Sequence, residues 1–184
     1  RRIGHLYPKA SLPDGSKANV IAWVWARTVE CSNPACGATM PLASTFWLSK
    51  KKGKEAWVQP IIDSKRVRFD IGHDPDGPPD PPKTGRGARF KCLVCGEAVG
   101  DTHIKAEGMA GRIGQQLMAV VADGDRRRVY LPATEEHIIA AASVARPADV
   151  PEQELVDEPR AIWCKLYGLT RHADLFTNRQ LAAL

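Results

Sequence analysis

Cys31-Ser32-Asn33-Pro34-Ala35-Cys36-Gly37 and Cys92-Leu93-Val94-Cys95-Gly96 decide how this chain reads. Each is a pair of cysteines a few residues apart, with a glycine directly after the second thiol. A turn of that length brings two sulfurs onto one ion, and glycine lets the backbone bend so that amides can point at sulfur. Four soft thiolates in a tetrahedral set select zinc over magnesium or calcium. The spacing therefore predicts one structural Zn2+ site at Cys31, Cys36, Cys92 and Cys95. The fold it implies is α+β, mostly antiparallel β: a zinc ribbon with two cysteine knuckles plus short helices.

Magnitudes favour that reading. Joining the two pairs closes a stretch of 55 intervening residues. Logarithmic scaling puts the closure at roughly 3–4 kcal/mol. Structural zinc in small peptides contributes about 10–16 kcal/mol, so a loose connection between the knuckles is tolerable. A redox-active Cys-x-x-Cys opens a helix after a strand and needs no second pair. An iron–sulfur cluster also accepts four cysteines. Catalytic zinc needs an open position, which four cysteines do not leave. The fifth cysteine, Cys164, has no partner in sequence and reads as a small buried residue. His5, His73, His103, His137 and His172 lack metal-ligand spacing to any cysteine and read as surface or internally satisfied histidines.

The 184 residues suffice for one ordinary domain or slightly more. A hydrophobic content of 43% with 26% charged residues is that of a soluble globular protein. No apolar run approaches the roughly 18 residues of a membrane span. Arg1 and Arg2 open the chain without an apolar leader behind them, and the first residue is not Met, which suggests an excised fragment. A secreted disulfide framework fits poorly, so a reducing, cytoplasmic setting is expected. The net charge of +5 is uneven: residues 1–131 carry +8 and residues 132–184 carry −3. A basic front half attracts polyanions through phosphate contacts and counterion release, although a solvated basic face accounts for the same excess.

Residues 20–29 are β-branched and aromatic, and predict a buried strand running into Cys31. Residues 43–49 and 55–62 flank Lys50-Lys51-Lys52-Gly53-Lys54 and predict a hairpin with a basic tip. Residues 66–71 alternate as a half-exposed strand does. Residues 72–87, with five prolines and four glycines, predict a flexible loop outside the core. Strands are expected at 99–106, 116–122 and 127–132, and a helix over 134–145 starting from Thr134. Residues 146–160 read as an acidic, Pro-rich linker. Thr177 and Gln180 form a capping-box pair, with Phe176 and Leu181 placed as a hydrophobic staple. A helix starting there has only about two turns left, so the chain is expected to continue beyond Leu184. The organisation is thus a zinc-ribbon β domain over 1–132, its flexible loop at 72–87, and a helical and linker segment over 133–184.

The knuckles and their flanks resemble large prokaryotic proteins described as adenine-specific DNA methylases containing a zinc ribbon. The resemblance is carried by Ile3-Gly4-His5-Leu6-Tyr7-Pro8, by Ala22 through Val29, by the first knuckle, and by Pro41-Leu42 with Phe46 through Lys52. It continues at Ala106-Glu107-Gly108, at Gly111 through Met118, and at Leu175 through Leu181. It implies a parent enzyme dependent on S-adenosylmethionine, which needs a Gly-rich cofactor loop and an Asn/Asp-Pro-Pro-Tyr/Phe segment for the flipped adenine. Neither occurs here; the only Asn-Pro, Asn33-Pro34, lies inside a knuckle. The chain is expected to be the ribbon region, inactive alone, leading to a methylase core in the remaining domains of its parent.

The resemblance makes DNA the expected partner. Candidate phosphate contacts are Lys50, Lys51, Lys52 and Lys54, with Arg66, Arg68, Arg86, Arg89, Arg112, Arg126, Arg127 and Arg128. Trp47 and Trp57 flank the lysine tip as candidates for stacking on a base or, more commonly, for the core. Gly108, Gly111 and Gly114 with Arg112 form either a phosphate cradle or a plain glycine-rich turn. The alternative to a DNA grip is a structural or protein-interaction module that orients the methylase halves without touching DNA. An RNA-binding ribbon is a weaker third class.

Overall fold

The computed structural model describes residues 3–158, 160 and 162–184. Arg1 and Arg2, Pro159 of the expected linker, and Ala161 lie outside the described residues. A 3-10 turn at Gly4–Leu6 precedes a small hairpin of β1 (Ala10–Ser11) and β2 (Lys17–Ala18). Then comes the longest strand of the first half, β3 (Val20–Glu30), ending at Cys31. The expected strand is there and one residue longer, but only its second half is buried. Ile21 is 52% exposed while Ala26, Thr28 and Val29 are buried. The second half is what other elements cover: Ala26 packs with Phe46 and Val58, and Val29 with the cysteine-lined core, while β4 (Thr39–Pro41) pairs with Thr28, Val29 and Glu30 at its end.

β5 (Trp47–Ser49), β6 (Ala56–Asp63) and β7 (Arg66–Gly72) make an antiparallel three-stranded sheet. The predicted hairpin is present, with Trp47 opposite Trp57 and the lysine turn at its tip. Trp57 is 1% exposed and lies so close to Gly72 that a Cβ there would meet its ring at 2.3 Å. Trp57 is therefore a core residue, and Gly72 is what admits it.

Residues 73–87 carry no helix and no strand beyond an isolated bridge from Lys83 to Phe90. The segment was expected to stay outside the core, yet Pro82 is fully buried and its carbonyl accepts from the Lys91 amide. Gly77, at φ +78, lies against the Trp47 ring. A proline-rich chain is stiff, and burial of one ring with one backbone bond pins it without regular structure.

β8 (Phe90–Lys91) and β9 (Ala98–Val99) form a two-stranded hairpin around the second knuckle. The strand expected over 99–106 is corrected here: only Ala98 and Val99 are extended, and Asp101–Met109 is a helix, α1. The β-branched Thr102 and Ile104 suggest a strand, but helical spacing puts Ile104 and Gly108 on one buried face. Gly108 lets α1 press on the Tyr167 backbone, where an added Cβ would lie 2.5 Å from a carbonyl oxygen. Lys105 pairs with Asp101 one turn away, and the Tyr167 hydroxyl donates to Asp101 at 3.2 Å.

β10 (Gly114–Gly124) and β11 (Arg127–Pro132) form the expected hairpin, with Arg126 at φ +55 in the turn. The main sheet runs β11-β10-β3-β4, antiparallel throughout. α2 (Glu135–Ala142) starts from the Thr134 cap as expected and stops three residues sooner. A four-residue α3 (Asn178–Leu181) starts from Thr177, whose hydroxyl and the Gln180 side chain satisfy each other's backbone amides. Within the expected linker, Leu155 is buried and Glu152 pairs with both Arg146 and Arg171.

The core has three parts. Ala26, Ala43, Phe46, Val58, Met118 and Ala119 join the three-stranded sheet to the main one. Leu117, Val120 and Ala122 meet the β1–β2 hairpin. Val29, Met40, Phe90, Val99 and Ile104 surround the buried cysteines. That last part positions the site.

Candidate metal centre and basic cleft

Each cysteine pair occupies the end of a two-stranded hairpin. β3 and β4 carry Cys31 and Cys36, with the Cys31 amide donating to the Ala38 carbonyl at 2.9 Å. β8 and β9 carry Cys92 and Cys95, with the Cys92 amide donating to the Glu97 carbonyl at 2.8 Å. The two knuckles share this hairpin closure, although the first spans two residues more than the second. In both, the glycine after the second cysteine takes positive φ, +58 at Gly37 and +80 at Gly96, where other residues are strained. α1 is tied to the first knuckle from the other side, with a His103 ring nitrogen 2.9 Å from the Glu30 carbonyl.

The four sulfurs lie within 4.8 Å of one another, with Cys31 Sγ and Cys95 Sγ 3.6 Å apart. A tetrahedron with metal–sulfur bonds of about 2.3 Å has edges of about 3.8 Å, so the sulfurs sit close to the spacing an ion would impose. Cys31, Cys36 and Cys92 are buried and Cys95 is exposed. Backbone amides aim at three of the sulfurs, each from two residues on: Asn33 at Cys31, Ala38 at Cys36 and Glu97 at Cys95. Amides pointed at sulfur stabilise thiolate, which is the ligand form. Burial nevertheless pushes the Cys31 thiol up to about 12. Cys36 is also raised: the Ala38 amide favours its thiolate, but burial and the neighbouring thiols outweigh it. Cys95 is lowered by the Glu97 amide. A cluster of three buried sulfurs and one exposed one, with inward-pointing amides, suits a cation that compensates them all. The molecule thus carries a cysteine cluster able to hold a metal ion.

The expected phosphate contacts fall into separate places. Lys50, Lys51, Lys52 and Lys54 stand exposed on the β5–β6 turn, with Lys50 Nζ 5.6 Å from the Trp47 ring centroid. Arg126, Arg127 and Arg128 are exposed at the β10–β11 turn. These two turns, more than 70 residues apart in sequence, meet. A cleft of about 760 Å3 is lined by Lys51 and Lys54 on one side and by Arg127 and Arg128 on the other. Pro13, His73 and Tyr130 line it too, with Ser49, Gly53 and Val129, and Glu55 is the one acid among the described residues lining it. His73 and Tyr130 were not among the expected site residues, and nothing in the sequence joins them to the lysine turn.

The other arginines lie elsewhere. Arg66 and Arg68 are exposed on β7, with Arg68 3.7 Å from Asp63. Arg86 and Arg89 are exposed on the stretch leading into β8. Arg112 is held in a two-pronged pair with Glu107, Nε and Nη2 donating at 2.9 and 2.7 Å. Its fork is thus already filled by a carboxylate, and the glycines around it form the turn between α1 and β10. Cys164 is half-buried in a 3-10 turn. Among the described residues no helix is long and apolar enough to cross a membrane.

Comparison with protein-family models, with curated proteins and with solved structures returns no match.

Proposed function

We propose that the four thiolates hold zinc and that this chain is the zinc-ribbon region of an S-adenosylmethionine-dependent, adenine-specific DNA methyltransferase, where it grips DNA by its phosphates. The single observation that carries the grip is the meeting of two basic turns around one cleft, with four cations against one acid. The choice of zinc rests on an all-sulfur donor set at tetrahedral spacing. The methylase assignment rests on the motif resemblance. On this reading cofactor and flipped adenine are handled by other domains of the parent chain, in the cytoplasm, and this segment is catalytically silent.

A duplex in the cleft would meet Lys51, Lys54, Arg127 and Arg128. Four neutralised phosphates give a slope of log affinity against log salt of about −3.6, a loss of about 150-fold between about 50 and about 200 mM salt. Fluorescence anisotropy of a labelled duplex measures both. Replacing Lys51 and Lys54 with alanine is expected to halve the slope. No binding at about 50 mM salt, or an unchanged slope in the double variant, rejects the grip and leaves the orienting module. A labelled RNA duplex run beside the DNA separates the two nucleic acids.

A further inference from the structure

A second cationic site lies on another face and is independent of the nucleic-acid reading. Arg179, on α3, is 5% exposed, yet no carboxylate lies within 4.0 Å of it among the described residues. Its guanidinium carbon is 3.7 Å from the Trp23 ring centroid and 4.6 Å from that of Tyr7. Its one protein acceptor among the described residues is the Leu6 carbonyl, 3.3 Å from Nη1. A guanidinium has five N–H donors, and aromatic faces offset charge without accepting strong hydrogen bonds. The indole Nε1 of Trp23 and Nε2 of His137, whose ring meets Trp23 edge-on at 5.2 Å, are buried with no partner among the described residues. A buried cation beside two orphaned nitrogens lacks its anion.

Arg179 also lines a groove of about 670 Å3 over β3. Among the described residues no acid lines that groove, whereas Arg27, Gln115 and Asn178 do, and Trp25 and Phe176 give it apolar walls. An acid-free groove with two arginines and side-chain amides matches an oxyanion attached to an apolar or aromatic body. We propose that this groove binds the phosphate or carboxylate group of a small ligand, with Arg179 as the anchoring fork and Arg27 as the second cation. The two oxyanions share the geometry that a guanidinium recognises, so the test runs them in parallel.

The full chain is titrated separately with inorganic phosphate and with acetate at constant ionic strength. The Arg179 side-chain and Trp23 indole N–H resonances are followed by NMR. Saturable shifts at both groups are expected, and the tighter of the two probes identifies the oxyanion. Arg179→Lys keeps the charge but loses the fork, and should weaken binding at least about tenfold. Gln115→Glu, at an exposed position opposite Arg27, puts a carboxylate into the groove and should weaken it similarly. Should Arg179→Lys fail to fold, the exposed Gln115→Glu decides alone. Replacing Lys51 and Lys54 with alanine should leave phosphate binding unchanged, because they line the other cleft. No saturation by about 50 mM of either anion, or equal affinity in Gln115→Glu, overturns the proposal.

Discussion

Stripping the metal from the four thiolates should open the second knuckle first and leave the β3–β10 pairing standing. Apart from the ion, the second knuckle is held by a short hairpin, by the Lys91 amide's bond to the Pro82 carbonyl and by the partly buried Leu93 and Val94. Its hairpin consists of two residue pairs, Phe90 with Val99 and Lys91 with Ala98. Phe90 and Val99 are the large apolar side chains it buries, at 7% and 1% exposed. Their burial stabilises the docked state by about 3–6 kcal/mol. Because β7 stays on the main sheet, only the 17 residues between Gly72 and Phe90 have to close, at about 3 kcal/mol. The two nearly cancel, so without an ion the hairpin is balanced between docked and open, while a structural metal adds about 10–16 kcal/mol. Hydrogen exchange with mass spectrometry, before and after chelation under reducing conditions, reads this directly. Peptides covering residues 89–99 should lose nearly all protection on chelation, while those covering β3 and β10 keep theirs. Cys92→Ser should reproduce the chelated pattern at any metal concentration. The reasoning fails if protein with free thiols and no bound metal protects residues 89–99 as the loaded protein does.

Three further outcomes follow from single contacts. Gly108→Ala places a methyl group 2.5 Å from the Tyr167 carbonyl oxygen, so α1 and the Cys164–Tyr167 turn must separate. A loss of about 1–3 kcal/mol in urea denaturation is expected, and an unchanged midpoint would mean the two elements do not pack as described. His137 is held below its ordinary value of 6.5, mainly by burial, with Arg179 and Lys17 acting in the same direction and Glu136 opposing. Its Nδ1 accepts from the Thr134 amide and hydroxyl, at 3.3 and 2.7 Å, so the neutral ring caps α2. The unfolded chain then binds the extra proton first, and stability is full above pH 6.5 and falls as pH drops below it. His137→Gln should flatten the urea midpoint between about pH 7.5 and about pH 5.5; parallel curves would sink this account. Finally, Arg112→Ala should leave DNA affinity unchanged, because Glu107 already occupies its fork. A drop matching that of the Lys51 and Lys54 variant would show that the arginine leaves its carboxylate for phosphate.

The cysteine cluster was legible because its determinants are local: two short spacings, each with a glycine where positive φ is needed. The lysine hairpin, the β10–β11 hairpin and the Thr134 and Thr177 caps were legible for the same reason, since turn and cap chemistry acts within a few residues. α1 was misread because the β-branched Thr102 and Ile104 carry strand preference, and tertiary packing of Ile104 and Gly108 overrides it. The burial of Pro82 and the filled fork of Arg112 were invisible for a related reason. Composition marks a segment as irregular, not as unpinned, and a charge count does not show which charges are already paired. The cleft was half legible. Both basic turns stood out, but their meeting depends on how the β5–β7 sheet lies on the main sheet, which no local signal encodes.

That packing separates the metal from the grip. The lysine turn lies between the two knuckles in sequence, an order that by itself would tie its position to the ion. The contacts point the other way. Phe46 and Val58, at 1% and 0% exposed, fix the hairpin against Ala26, Met118 and Ala119 of β3 and β10. Gln116 Nε2 donates to the Val67 carbonyl at 2.7 Å, tying β7 to β10 as well. Both walls of the cleft are therefore referenced to the main sheet, Lys51 and Lys54 through this core and Arg127 and Arg128 through the β10–β11 pairing. Chelated protein should bind a duplex within about threefold of the loaded protein and keep a salt slope near −3.6, even as residues 89–99 lose protection. A slope halved by chelation would mean the lysine turn drifts away once the ion is gone, and the ion would then set the cleft. If the slope holds, the metal's task is confined to seating the second knuckle and the α1 helix that follows it.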